Sequence, residues 1–253
     1  MLPYFEQVSI HIGPVTIFVW GCFVMLGVVS ALLVARSEAR RARASFDHIL
    51  DMSVWILIGA FLGARLAHIF FYEPHFFFVN PREIFMVWHG GLSSVGGISC
   101  GIAAALLYVR RKKIDLRLYG DIVACSIPAA WIIARFGCYL THMHPGIRSN
   151  RFFAVAYPDG SRLDLGLLES CAWVVIGLII WISPRSKIQG FYLALVPMLY
   201  APARFALDFF RVRDGMMPDM RYLGLTPAQY GMCALFILAI LFANRLKKQH
   251  KKI

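Results

Sequence analysis

Three arginines stand where charge is expensive. Arg65 lies in ILDMSVWILIGAFLGARLAHIFF, Arg135 in YGDIVACSIPAAWIIARFGCYL and Arg204 in GFYLALVPMLYAPARFALDFF, segments otherwise apolar enough to cross a membrane. An ionised guanidinium in hydrocarbon costs several kcal/mol, so such residues face a bundle interior or a polar cavity and suggest a site. With a helix rise of about 1.5 Å per residue, each arginine sits roughly 8–9 Å inside the outer end of its segment. His89 and Glu169 fall in about the same layer. Such a layer could hold a phosphate head group, because the planar guanidinium fork binds phosphate oxygens while a lipid's chains stay in hydrocarbon. The plainer alternative is structural. Arg204 and Asp208 are four apart and can pair on one helix face, and arginines two turns from an interface can snorkel outwards.

Two further stretches carry candidate chemistry. In HGGLSSVGGISCG, residues 89–101, Gly97 and Gly101 form the GxxxG spacing of close helix packing. The functional alternative is that the small surface around Gly96 and Gly97 opens space for a lipid, with His89 beside the arginine layer. In ARFGCYLTHMHPG, residues 134–146, His142 and His144 stand two apart. That spacing does not put both rings on one helix face, so no metal site is expected. Because a free imidazole titrates near neutral pH, one of the two is expected to accept a proton at the mouth of the pocket.

The elements that must position these residues are transmembrane helices. Hydrophobic residues make up 59% of the 253 and charged residues 16%, too little polar sequence to coat a soluble domain of this length. Apolar windows near 14–34, 49–71, 84–109, 118–140, 164–183, 188–210 and 226–245 predict seven spans and an all-α membrane protein. Their unbroken length excludes the ten-residue alternating strands of a barrel. Sixteen Lys and Arg fall in the connections on one side against seven on the other, which places the N-terminus outside and the C-terminus in the cytoplasm. The same distribution accounts for the net charge of +12 without a nucleic-acid partner. The start, MLPYFEQVSI, lacks a basic region and a cleavage site, so the first helix is expected to be retained. The six cysteines lie in predicted spans without CxxC spacing, so neither disulfides nor a zinc site is expected. The chain reads as one polytopic domain, 1–253. Residues 141–163 form an outer loop or small cap that turns at PDG, and residues 211–225 a mobile connection.

Several blocks resemble the prolipoprotein diacylglyceryl transferase family, a family of seven-helix enzymes of the bacterial inner membrane. GARLAHIFFY at 63–72 is similar to its GxRxxY segment, and NPREIFMVWHGGLSSVGG at 80–97 to NPxEIFxxWxGGLSxHGG. ARFGCYLTHMHPG resembles GRxGNFxNxExxG, RFALDFFRVRD at 204–214 resembles RFxxEFxRxPD, and LGLLES at 165–170 resembles SQLYEA, aligning Glu169 with its glutamate. Order and spacing agree over nearly the whole chain. The resemblance makes Arg135 the signature arginine, Gly146 the final glycine of that signature and Arg204 the arginine of the sixth-helix block. These positions serve phosphatidylglycerol binding and transfer in the family, and Asp208 retains charge where the family has glutamate.

The implied reaction is attack by the lipobox cysteine thiol of a secreted preprolipoprotein on the glyceryl carbon bearing the phosphate, with release of glycerol phosphate and no cofactor. Arg135 and Arg204 would stabilise the phosphate, supported by Arg65, and His142 or His144 would take the proton. The sequence also departs from the pattern. Val95 replaces the histidine of HGG, Cys138 and Thr141 replace the two asparagines, Met143 replaces the glutamate and Trp20 stands at the first-helix tyrosine. Two readings follow. One is a divergent transferase in which His142, His144 or His89 supplies the lost polar chemistry. The other is a relative that binds or transports lipid without a covalent product. An unrelated intramembrane hydrolase built on Ser93, Ser94 and His89 has no supporting spacing.

Overall fold

Apolar side chains cover the outside of this protein. The computed structural model describes residues 1–5, 8–13, 15–86, 91–183, 186–212 and 221–250, and within these Leu26, Val29 and Leu33, Val54, Leu57 and Ile58, and Ile237, Leu238 and Leu241 all lie on helix faces turned outwards. A water-soluble chain rarely exposes apolar surface so continuously, whereas a lipid-facing helix must. The fold is mostly helical. Six helices are long and apolar enough to cross a membrane: α1 (Val19–Ala42), α2 (Phe46–Phe71), α5 (Leu116–Leu140), α6 (Leu165–Ile182), α7 (Phe191–Leu207, continued by a 3₁₀ turn Asp208–Phe210) and α8 (Pro227–His250).

The expected third span over 84–109 takes another form. After α2 come a short α3 (Pro74–Val79) and a 3₁₀ turn (Pro81–Ile84), and the helix α4 runs over Ser94–Lys112. Ser93 caps α4 by accepting the Gly96 amide at 3.4 Å, the usual task of an N-cap serine. The helix thus starts some ten residues later than its apolar window, and its last turn is Arg110, Arg111 and Lys112. It is not among the six helices above.

The chain separates into two compact units, Met1–Glu38 with Gly120–Ile253, and Ala39–Tyr119. In the second unit α2 packs along α4 through small residues. A Cβ on Gly63 would lie 2.2 Å from that of Cys100, and one on Gly96 would lie 2.3 Å from that of Ala67 and 2.4 Å from the Gly63 carbonyl oxygen. In the first unit, Ala124, Cys125, Trp173, Ile176, Ile180, Tyr192 and Val196 form a buried core between α5, α6 and α7. Asp121 of α5 accepts the amides of Gly190 and Leu193 at 2.7 and 2.8 Å, satisfying donors that the start of α7 would otherwise leave orphaned.

Residues 141–163, expected as a loop or cap, fold as a sheet. Strands β3 (Pro145–Arg148), β4 (Val155–Tyr157) and β5 (Gly160–Asp164) lie in the order β3-β5-β4, all antiparallel, with β4 and β5 joined tightly at Tyr157↔Gly160. The chain start adds to the same sheet, since Leu2 bridges Val155. A second hairpin, β1 (Ser9–Ile12) with β2 (Val15–Phe18), precedes α1. The first apolar window therefore begins as strand, and its helix starts only at Val19.

Candidate active site

The intramembrane charge of the first unit converges on one carboxylate. Glu169, one turn into α6, lies 3.2 Å from Nε of Arg135 on α5 and 3.7 Å from Nε of Arg204 on α7. Tyr200, one turn before Arg204 on the same helix, donates its hydroxyl to Glu169 at 2.6 Å. Three helices are thus tied at one level by a buried acid. Arg204 also holds Asp208 at 2.8 Å, four residues on, so the i,i+4 pair that the sequence allows does form. Asp208 in turn accepts the Thr226 hydroxyl and lies 3.9 Å from Nε of Arg211. Among the described residues, three guanidiniums and two carboxylates meet in this cluster. Stripping one partner from a buried ion pair leaves a charge uncompensated, at a cost of about 3–5 kcal/mol.

Where α5 leaves the apolar layer, its two histidines diverge. Nε2 of His144 lies 3.3 Å from a terminal nitrogen of Arg135. Arginine can only donate, so His144 accepts there and is neutral. Burial and the cations Arg135 and Arg211 hold its pKa down at about 4. His142 points elsewhere. Its Nδ1 donates to Asp164 at 2.9 Å, and the two side chains are 2% and 0% exposed. The other oxygen of Asp164 caps α6 by accepting the Leu167 amide at 3.1 Å. Tyr157 donates its hydroxyl to Asp164 at 2.7 Å, and burial with the adjacent carboxylate pushes that phenol well above its ordinary range, so it remains a donor.

Gly146 is required by close approach. A Cβ there would stand 2.7 Å from the Phe210 carbonyl oxygen and 2.9 Å from that of Leu163. At this point β3 meets β5 and bridges Arg211, so the glycine lets the cap close onto the chain that carries Asp208 and Arg211. Cys138 is buried and receives a long contact from Arg135 at 3.9 Å.

The remaining sequence candidates belong to the second unit. Arg65 is 6% exposed and spends its fork on main-chain carbonyls, those of Ile84 and Gly91 at 3.1 Å each and those of Glu83 and Met86. Its guanidinium also lies 5.0 Å from the centre of the Phe77 ring. Gly96 and Gly97 face α2, and Val95 is exposed on α4. His89 lies outside the described residues. Sequence reasoning missed Asp164, Tyr157 and Tyr200. The only prior signal for Asp164 was an acid immediately before an apolar run, the mark of an N-cap.

Helices with apolar exteriors, joined internally by guanidiniums and acids, define a multi-pass membrane protein. The family described as prolipoprotein diacylglyceryl transferase matches residues 7–245, and the chain belongs to that family. The phosphatidylglycerol–prolipoprotein diacylglyceryl transferase of Nitratidesulfovibrio vulgaris (strain DSM 19637 / Miyazaki F) is 30% identical over 243 residues, covering 92% of this chain and 91% of the relative. The protein of that name from Oleidesulfovibrio alaskensis is 29% identical, covering 98% and 96%, and that from Listeria monocytogenes is 28% identical, covering 96% and 91%.

Proposed function

We propose that this chain is a phosphatidylglycerol–prolipoprotein diacylglyceryl transferase of the bacterial inner membrane, acting towards the outer leaflet. Its substrates are phosphatidylglycerol and the signal peptides of preprolipoproteins. The observation that carries this reading is the pairing of Arg135 and Arg204 on Glu169, in a chain matched to the family over residues 7–245. A phosphodiester bears one negative charge, which a guanidinium fork recognises through paired hydrogen bonds. On transfer the lipobox thiolate forms a C–S bond to the glyceryl carbon, the C–O bond breaks and glycerol phosphate leaves with an added charge. Donors fixed before that charge develops lower the barrier. Arg135 and Arg204 are the catalytic cations in this account. Glu169 and Asp208 orient them rather than meet phosphate, and Gly146 positions Asp208 and Arg211.

Two assignments change in role. Arg65 holds the chain between α3 and α4 through carbonyls, which supports a structural part. His144, with its lone pair already facing a cation, orients Arg135, leaving His142 as the proton acceptor.

A second reading, lipid binding without transfer, draws on exposed Val95 at the position of the family histidine. Mass spectrometry separates the two. A lipobox peptide incubated with phosphatidylglycerol and purified protein gains a diacylglyceryl group on its cysteine, and Arg135→Ala or Arg204→Ala abolishes the gain. Arg135→Ala/Glu169→Gln, which leaves no orphaned carboxylate, controls for folding. Transfer at the wild-type rate by folded arginine variants would falsify the assignment, and absence of product from folded, lipid-binding wild type favours the second reading.

A further inference from the structure

His142, just past the end of α5, carries a buried nitrogen that packing does not use. Its backbone φ is +46°, that of the left-handed residue ending a helix, since the Met143 amide reaches back to the Cys138 carbonyl at 3.2 Å. Its Nδ1 is committed to Asp164, so the bare lone pair lies on Nε2, and that atom is buried without a hydrogen-bond partner among the described residues. A buried polar atom left unpaired costs about 1–3 kcal/mol. Leucine would fill the same space without that penalty. A carboxylate holding the ring from behind and an unused acceptor in front of it are two separate observations on one side chain.

Resting on the transferase reading, we propose that Asp164 is a positioning residue that makes His142 the base of the reaction, with Nε2 taking the thiol proton. The carboxylate fixes the Nδ1–H tautomer and stabilises the imidazolium that forms. Tyr157 and the Leu167 amide keep the carboxylate in place. The proton leaves sulfur for Nε2, the sulfur electron pair forms the C–S bond, and the C–O pair departs with glycerol phosphate, which later collects the proton directly or through solvent.

The spacing fits. Asp164 caps α6 and Glu169 lies five residues on, a rise of about 7.5 Å. A thiol within about 3 Å of Nε2 and about 3–3.5 Å from the carbon it attacks bridges that interval to a phosphate held by Arg135 and Arg204. The ring is enclosed by aromatic groups from three places: Tyr4 of the chain start stacked at 4.5 Å with Phe5 beside it, Tyr139 of α5 and Tyr157 of β4. The chain start is tied to the sheet by main-chain hydrogen bonds at Leu2. The titratable groups facing His142 are Asp164, Tyr4, Tyr139 and Tyr157.

The test uses full-length protein in detergent, with phosphatidylglycerol and a lipobox peptide. His142→Gly suits the left-handed backbone and leaves a ring-sized space. Its rate falls at least about 10²-fold and is partly restored by added imidazole. Asp164→Asn removes the charge that favours imidazolium, so the acid limb of its rate profile moves to lower pH while the maximum falls. Near-wild-type transfer by His142→Gly, failure of imidazole to restore it, or an Asp164→Asn profile changed in height alone overturns the proposal. If wild type itself forms no product, the transferase reading fails. ¹⁵N spectra of His142 then decide the dyad, which requires Nε2 to be unprotonated in wild type and that tautomer to be lost in Asp164→Asn.

Discussion

Arg135 and His144 share one hydrogen bond, and its direction fixes the chemistry of both. Arginine keeps its protons, so a protonated His144 would set two cations against each other at 3.3 Å. With a folded-state pKa of about 4 against an ordinary value of about 6.5, the unfolded chain binds this proton first as pH falls. The stability contributed by His144 is therefore full above about pH 6.5 and lost on the way down to about pH 4, at most on the order of 3 kcal/mol. Melting temperatures in detergent should decline over that window and decline less in His144→Gln. Equal slopes would remove His144 as the cause. Arg135→Lys tests the other partner. One ammonium cannot reach Glu169 and His144 with the geometry of a fork, and transfer should fall about 10²-fold although charge is retained. The intramembrane arginines were legible because hydrocarbon makes charge conspicuous. Asp164 was not, because its partner is 22 positions away and only the turn of the cap brings them together.

At the scale of elements, glycine placement decides how closely helices approach. The sequence displays Gly97 and Gly101 on α4, yet a Cβ on Gly101 would meet neighbours no nearer than 3.4 Å. The tight contacts are made by Gly96 and by Gly63 of α2, which with Gly59 forms a second GxxxG that went unread. Spacing on one helix says that a close face exists. It does not say which glycine meets the partner's backbone. Gly96→Leu should separate α2 from α4 and cost more than the roughly 1–3 kcal/mol of ordinary overpacking, because backbone and not a movable side chain stands opposite. Gly21→Leu on α1, where a Cβ meets nothing within 4 Å among the described residues, is the matched control. Comparable melting temperatures for the two variants would contradict the packing account. The cap was legible as a short folded element turning at PDG, whereas the β1–β2 hairpin was hidden within a window apolar enough to pass for the first span.

For the whole molecule, the parity of spans matters more than their number. Six crossings return both termini to one side, while seven place them on opposite sides, and α4 decides between these. Its 19 residues over Ser94–Lys112 reach about 28 Å at helical rise, close to the hydrocarbon thickness of about 30 Å. The basic last turn would then sit in a head-group layer rather than in lipid. The charge distribution argues for the crossing. Without it, the cluster from Arg110 to Arg117 and the basic C-terminal stretch could not share a side with Arg36, Arg40, Arg41 and Arg43, against the bias of basic loops towards the cytoplasm. A cysteine introduced at Asp159, in the β4–β5 turn, should react with a membrane-impermeant maleimide in intact spheroplasts. A fluorescent protein fused to the C-terminus of the same chain should be bright. Labelling at residue 159 only after the membrane is opened would invert the orientation. A cysteine added ahead of Met1 settles the parity, because seven spans make it react like residue 159, and six leave it protected with the C-terminus.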